Sequence, residues 1–86
     1  MTLKSLRKQI DDLDRKLLKL IAARLALASK TLLFKKKISD REREKKLRRT
    51  WLFEGKRLGI SRKISERILA ALIEESKRHQ RPPLRP

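Results

Sequence analysis

The sequence predicts an all-α fold: three helices per chain with a long first helix, assembled as an intertwined homodimeric helical bundle. Three observations carry this. Residues 3–35 contain neither Gly nor Pro and hold an apolar seam at Leu3, Leu6, Ile10, Leu13, Leu17 and Leu20, in alternating steps of three and four. The chain has only 2 glycines and no period-two clusters of β-branched residues, so no strand is predicted. A helix over residues 3–35, at about 1.5 Å per residue, is a rod of roughly 50 Å, whereas a compact globule of this length is about 30 Å across. A rod too long for its own monomer, carrying an apolar seam, must pack along a second copy.

Thr2 is the predicted N-cap of the first helix. The seam continues through Arg24, Leu27, Thr31 and Phe34, so Arg24 stands where the pattern requires a Leu. An unpaired cation there costs several kcal/mol unless an anion or acceptors meet it, and something negative is expected beside it. From Leu17 onward Leu18, Ile21, Leu25, Ala28 and Leu32 add a second apolar row, which needs more than one covering neighbour. The first half, with Lys4, Lys8, Asp11, Asp12 and Arg15 around a narrow seam, stays wet, with i,i+4 pairs such as Asp11 with Arg15. Lys35 lies about 20° from Arg24 around the helix and about 16 Å along it, which places two long cationic side chains on one face, positioned to clasp a single dianion.

A capping box of Ser39 and Glu42 opens the second helix, which runs over residues 40–58 with Gly59 as its stop. Asp40, Arg43, Glu44, Leu47 and Trp51 share one face. Leu47 and Trp51 point inward, Trp51 as core, and carry the charged trio toward the interior or its mouth; an acid-favoured helix start accounts for the trio equally well. Gly55 implies a close helix approach. Ser61 caps the third helix, over residues 62–80, which stops before Pro82 and Pro83. Its row Ile64, Ile68, Leu72, Ser76 and Gln80 ends in two hydrogen-bonding side chains, either fraying into water or walling a pocket. His79 reads as an exposed histidine without an acid partner at catalytic spacing. One domain is expected over residues 1–80 and a flexible tail over 81–86.

With 26 Lys+Arg against 10 Asp+Glu, a net charge of +16 invites a nucleic-acid-binding reading. Aromatics at 3% provide no stacking platform, and the cations spread over all three helices instead of one groove-reading face. A basic helical nucleic-acid-binding module therefore ranks as an alternative that leaves Arg24, Ser76 and Gln80 unexplained. There is no cysteine, hence no disulfide or thiolate metal site, and His79 has no companion ligand. Lys19, Arg24 and Lys30 interrupt the most apolar run and argue against a membrane span. No targeting segment and no fused catalytic or sensing domain is evident, and a cytoplasmic location is expected.

The unusual residues are Arg7, Arg24, Lys35, Asp40, Arg43, Glu44, Ser76 and Gln80. They contain no nucleophile–base pair, metal cluster or phosphate loop. Several cations with a few hydrogen-bonding groups suit a small polycarboxylate whose reaction needs charge stabilisation and conformational restraint. In these residues, and in the stretches LRKQIDDLDRKLLKLIAAR, DREREKKL and LIEESKRHQ, the chain strongly resembles the all-helical chorismate mutase family over roughly residues 3–80.

That resemblance implies an intertwined homodimer of three helices per chain that rearranges chorismate to prephenate in phenylalanine and tyrosine biosynthesis, without cofactor or metal. All eight residues match the family's active-site positions. By resemblance Lys35, Gln80 and Glu44 are catalytic: Lys35 and Gln80 donate to the ether oxygen and Glu44 accepts from the ring hydroxyl. Arg7 and Arg24 grip the carboxylates, Ser76 assists at one of them, and Asp40 and Arg43 shape the hydroxyl end. Some relatives carry a glutamate in place of Gln80, which must be protonated to donate. Arg7 is about 25 Å from Arg24 along the rod and must serve the partner's site. The link over residues 36–39 is shorter than in many relatives, and Thr31 replaces a usual aliphatic residue. Isochorismate pyruvate lyase, on the same scaffold, is the close alternative. The basic charge suits steering of a dianion or attraction of an acidic partner protein.

Overall fold

The structure, a computed structural model, describes residues 1–34 and 40–80. It is all-helical among those residues: α1 spans Leu3–Lys30, a 3₁₀ turn Thr31–Leu33, α2 Arg41–Arg57 and α3 Arg62–Gln80. Helix α3 is the centre, packing against both α1 and α2. The radius of gyration is 16.1 Å and the extents are 51 × 33 × 20 Å, well beyond the roughly 12 Å radius of a compact chain of this length. The long axis belongs to α1, which projects past its neighbours.

Each helix end has a local cause. Thr2 and Ser5 form a reciprocal capping box at the start of α1. The helix ends at Lys30, short of the expected 35, because hydroxyls compete for its last carbonyls: Ser29 Oγ donates to Ala26 O at 2.7 Å and Thr31 Oγ1 to Ala28 O at 2.7 Å. The Thr31 N–H also turns to Ala28 O, tightening the chain into 3₁₀ geometry. Asp40 caps α2, its side chain accepting from the Arg43 N–H at 3.1 Å; Ser39, expected in that role, lies outside the described residues. At the far end Gly59, with φ +78°, completes a Schellman motif: Ile60 N donates to Gly55 O at 2.8 Å and Gly59 N to Lys56 O at 3.1 Å. Ser61 Oγ accepts from the Ile64 N–H and caps α3.

Gly55 is buried at the α2–α3 crossing, where an added Cβ would sit 2.3 Å from Ser65 Oγ, so the close approach expected of this glycine is present. The buried face of α3 is Ser65, Leu69, Leu72, Ser76 and Gln80. This corrects the expected row: Ile64 and Ile68 are each 45% exposed. Successive steps of four drift about 40° each around a 3.6-residue helix, so the row that is inward at Ser76 has rotated out by Ile64, and the Gly55 crossing draws Ser65 in. Trp51 and Leu47 are half-buried, not core. Arg15 pairs with Asp12 at 2.8 Å in place of Asp11, and His79 is 3.6 Å from Glu75, an acid neighbour not expected from the sequence.

The second apolar row of α1 is covered only from Ile21 on: Ile21, Leu25, Ala28 and Leu32 are half-buried, whereas Leu18, expected in the same row, is 65% exposed within one chain. The seam itself is open within one chain, with Leu3 63%, Ile10 55%, Leu13 61%, Leu17 55% and Leu20 67% exposed. No helix among the described residues is long and apolar enough to cross a membrane.

Candidate active site

A cavity of about 270 Å³ opens where the last turns of α1 and α3 meet the first turns of α2. Three facts of helix geometry build it. The buried row of α3 reaches its C-terminal end at Ser76 and Gln80, which are 8% and 7% exposed. Arg24 comes off α1 one to two turns before that helix ends. The cap residue Asp40, with Arg43 and Glu44, brings the first turn of α2 across the opening. Leu27, Ala28, Leu47 and Ile73 supply the apolar walls.

Six of the eight residues expected from the sequence therefore line one cavity: Arg24, Asp40, Arg43, Glu44, Ser76 and Gln80. Arg7 does not. It lines a separate surface depression on the projecting part of α1 with Thr2, Leu3 and Asp11, about 25 Å from Arg24 along the helix. Lys35 lies outside the described residues. The alternative account of the Asp40–Glu44 trio is also satisfied in part, since Asp40 caps α2 while facing the cavity.

Arg24 is half-buried, and its Nη1 donates to Ser76 Oγ at 3.1 Å; Ser76 Oγ in turn donates to Leu72 O at 2.7 Å. Among the described residues no carboxylate pairs with Arg24 or Arg43. Beside Arg24, then, the described residues place a hydroxyl acceptor and no anion, and its guanidinium keeps further donors in hand. Gln80 Nε2 donates to Ala28 O at 2.8 Å and Thr31 Oγ1 at 3.0 Å, while its buried Oε1 has no partner among the described residues.

Two further lining residues carry chemistry that sequence reasoning missed. Lys77 enters the cavity wall and its Nζ lies 3.3 Å from Glu44. A Lys in a basic helix gives no signal of its own; the only pointer was Glu44, an acid on an inward face in need of a partner. Thr31, a seam position that departs from the family's usual aliphatic residue, supplies the hydroxyl that holds Gln80. The cavity thus sets three cations, Arg24, Arg43 and Lys77, against two acids, Asp40 and Glu44, over apolar walls. Such a lining suits an anionic molecule with an apolar frame and a hydroxyl.

Compared with models of protein families, residues 6–81 match one described as chorismate mutase type II. No curated protein and no solved structure matches the chain significantly.

Proposed function

Because the chain belongs to the chorismate mutase type II family, and is accordingly a chorismate mutase, an isomerase, we propose that it converts chorismate to prephenate by a pericyclic shift within a site shared between two copies. The observation that carries this reading is the convergence of Arg24, Asp40, Arg43, Glu44, Ser76 and Gln80 on one cavity, with two guanidinium groups that no carboxylate among the described residues pairs. The substrate has two carboxylates, a ring hydroxyl and an ether bond that breaks as a carbon–carbon bond forms. No group of the protein need become covalently attached. Its work is to hold the folded conformer and to meet the charge that develops on the ether oxygen.

Arg24, oriented by Ser76, binds one carboxylate in a bidentate fashion. Glu44 accepts from the ring hydroxyl, with Asp40 and Arg43 shaping that end. Lys35 and Gln80 donate to the ether oxygen. Arg7 reaches the second carboxylate from the partner subunit, since about 25 Å separates it from Arg24 on its own rod. The exposed seam at Leu3, Ile10, Leu13, Leu17 and Leu20 supports the dimer: unpaired it leaves a long apolar stripe in water, which a second α1 would cover. The pathway assignment is phenylalanine and tyrosine biosynthesis in the cytoplasm, over a domain of residues 1–80.

The test is chorismate consumption with acid conversion of the product to phenylpyruvate. Purified protein that leaves chorismate untouched while forming salicylate from isochorismate would make it a lyase. Salt-sensitive duplex DNA binding with no turnover would favour the binding-module reading.

A further inference from the structure

We infer that Lys77 is a positioning residue of this active site: its ammonium holds the Glu44 carboxylate in the orientation in which that carboxylate receives the substrate's ring hydroxyl. This rests on the reading of the cavity given above.

Lys77 Nζ lies 3.3 Å from Glu44 Oε1 and 3.3 Å from Oε2, straddling the carboxylate so that neither oxygen is favoured. Exposed ion pairs do little, because water and salt screen them and two long side chains must be ordered. This pair differs from the other ion pairs among the described residues. Its side chains are 28% and 30% exposed, against 64% and 48% for Arg57 and Glu54. Like Arg48 with Glu66, whose side chains are 54% and 36% exposed, it joins α2 to α3, Glu44 in the first turn of α2 and Lys77 in the last turn of α3. Of these two pairs it alone borders the cavity. Both also border the neighbouring apolar groove between α2 and α3, with Ile73 shared as well. The pair is therefore part of the wall that separates the cavity from that groove.

A glutamate has three side-chain torsions, and freezing them only when substrate arrives costs affinity. Lys77 freezes them beforehand, while each carboxylate oxygen keeps lone pairs for a hydroxyl. A direct contact between Lys77 and the substrate predicts a different pattern, since it would survive loss of the Glu44 charge.

The experiment is a double-mutant cycle on the full chain, measuring kcat and KM for chorismate in wild type, Lys77→Met, Glu44→Gln and the double variant, with Lys77→Arg as the conservative control. The expected result is a loss of about tenfold in kcat/KM for each single variant. The double variant should fall no more than about twofold below Glu44→Gln, and Lys77→Arg should stay within about threefold of wild type. Far-UV circular dichroism and melting confirm that each variant folds; Lys77→Gln replaces Lys77→Met in the cycle if the latter does not melt cooperatively. Equal losses from Lys77→Met in both backgrounds, an unchanged kcat/KM for Lys77→Met, or wild-type activity in Glu44→Gln would each overturn the inference. A wild-type protein that fails to consume chorismate would remove the reading of the cavity itself, and the positioning role with it.

Discussion

Arg24 and Ser76, 52 residues apart in sequence, meet at 3.1 Å across the α1–α3 interface, and the serine hydroxyl is fixed at its other end by Leu72 O at 2.7 Å. The hydroxyl proton is committed to the helix carbonyl, so the serine oxygen is left as an acceptor that aims the guanidinium. Ser76→Ala removes a hydrogen bond to a charged group, worth about 1.5 kcal/mol, or about tenfold. The expected outcome is that loss in kcat/KM with little change in melting temperature. Arg24→Lys keeps the charge but not the planar fork, and should cost about a hundredfold or more if the grip on a carboxylate is bidentate.

The assembly prediction uses Arg7 and Arg24 together. Alone, Arg7→Ala and Arg24→Ala homodimers each lack one of the two guanidinium grips in both sites. In the mixed dimer one site is doubly deficient and the other intact, so an equimolar mixture after subunit exchange should recover about a quarter of wild-type activity. Recovery of nothing, with exchange verified by mass spectrometry of tagged subunits, would show that Arg7 does not cross to the partner.

Much of this was legible in the sequence because charge among leucines is a strong signal. Arg24 interrupts a seam whose period is otherwise unbroken, and Gly55 inside a helix announces a close approach. Residues whose role depends on a neighbour far along the chain were not legible. Lys77 is one cation among many until α3 brings it against Glu44. In the buried α3 row the drift that turns Ile64 and Ile68 outward follows from the helix period alone, but that Ser65 is drawn in follows from the crossing at Gly55, which periodicity within one helix does not contain. The early end of α1 depends on which acceptor the hydroxyls of Ser29 and Thr31 choose, and both options look alike in sequence.

The Gly55 crossing makes a stability prediction whose sign is set by contact, not propensity. Ala would gain about 1 kcal/mol over Gly in a free helix, but its Cβ would lie 2.3 Å from Ser65 Oγ and 3.4 Å from Ser65 Cβ. Overpacking of this kind costs about 1–3 kcal/mol, so Gly55→Ala should lower the melting temperature. Ser65→Ala deletes the clashing oxygen and leaves the Cβ at a tolerable distance. The double variant should therefore melt above Gly55→Ala alone; a double variant as unstable as the single would show that the crossing is not what limits residue 55.

Glu66 joins Arg48 of α2 and Arg62 of its own helix, and hydrogen bonds from Arg48, then Arg62, hold its carboxyl below the ordinary value of 4.5. A lowered carboxyl contributes stability that is fully present above the unfolded value and is lost as pH falls through the folded one. Glu66→Gln should accordingly melt below wild type at pH 7, and the gap should close as pH drops below about 4.5. Since the group is exposed, added salt should narrow the gap at neutral pH. A gap that persists unchanged at pH 3 would mean that the Gln variant loses packing and not charge.

Gln80 sets the last prediction, because both hydrogens of its amide are already used. Nε2 donates to Ala28 O at 2.8 Å and to Thr31 Oγ1 at 3.0 Å, and Oε1 is buried without a partner among the described residues. To donate to an ether oxygen the amide must release one of these contacts when substrate binds, and the threonine is the cheaper one, since Thr31 retains its own bond to Ala28 O. A carboxylate at this position has no hydrogen to donate and would face the Ala28 carbonyl, so Gln80→Glu is competent only when protonated. Loss of one such donor costs about 10²–10³ in rate, and this is the expected deficit of Gln80→Glu at pH 7.5. Divided by the wild-type profile, its kcat/KM should then rise about tenfold per unit as pH falls, until the carboxyl is protonated. Gln80→Ala should show a comparable deficit with no such recovery. Parallel pH profiles for Gln80→Glu and wild type would show that residue 80 does not donate in the transition state, and would leave it the structural task of tying the end of α3 to α1.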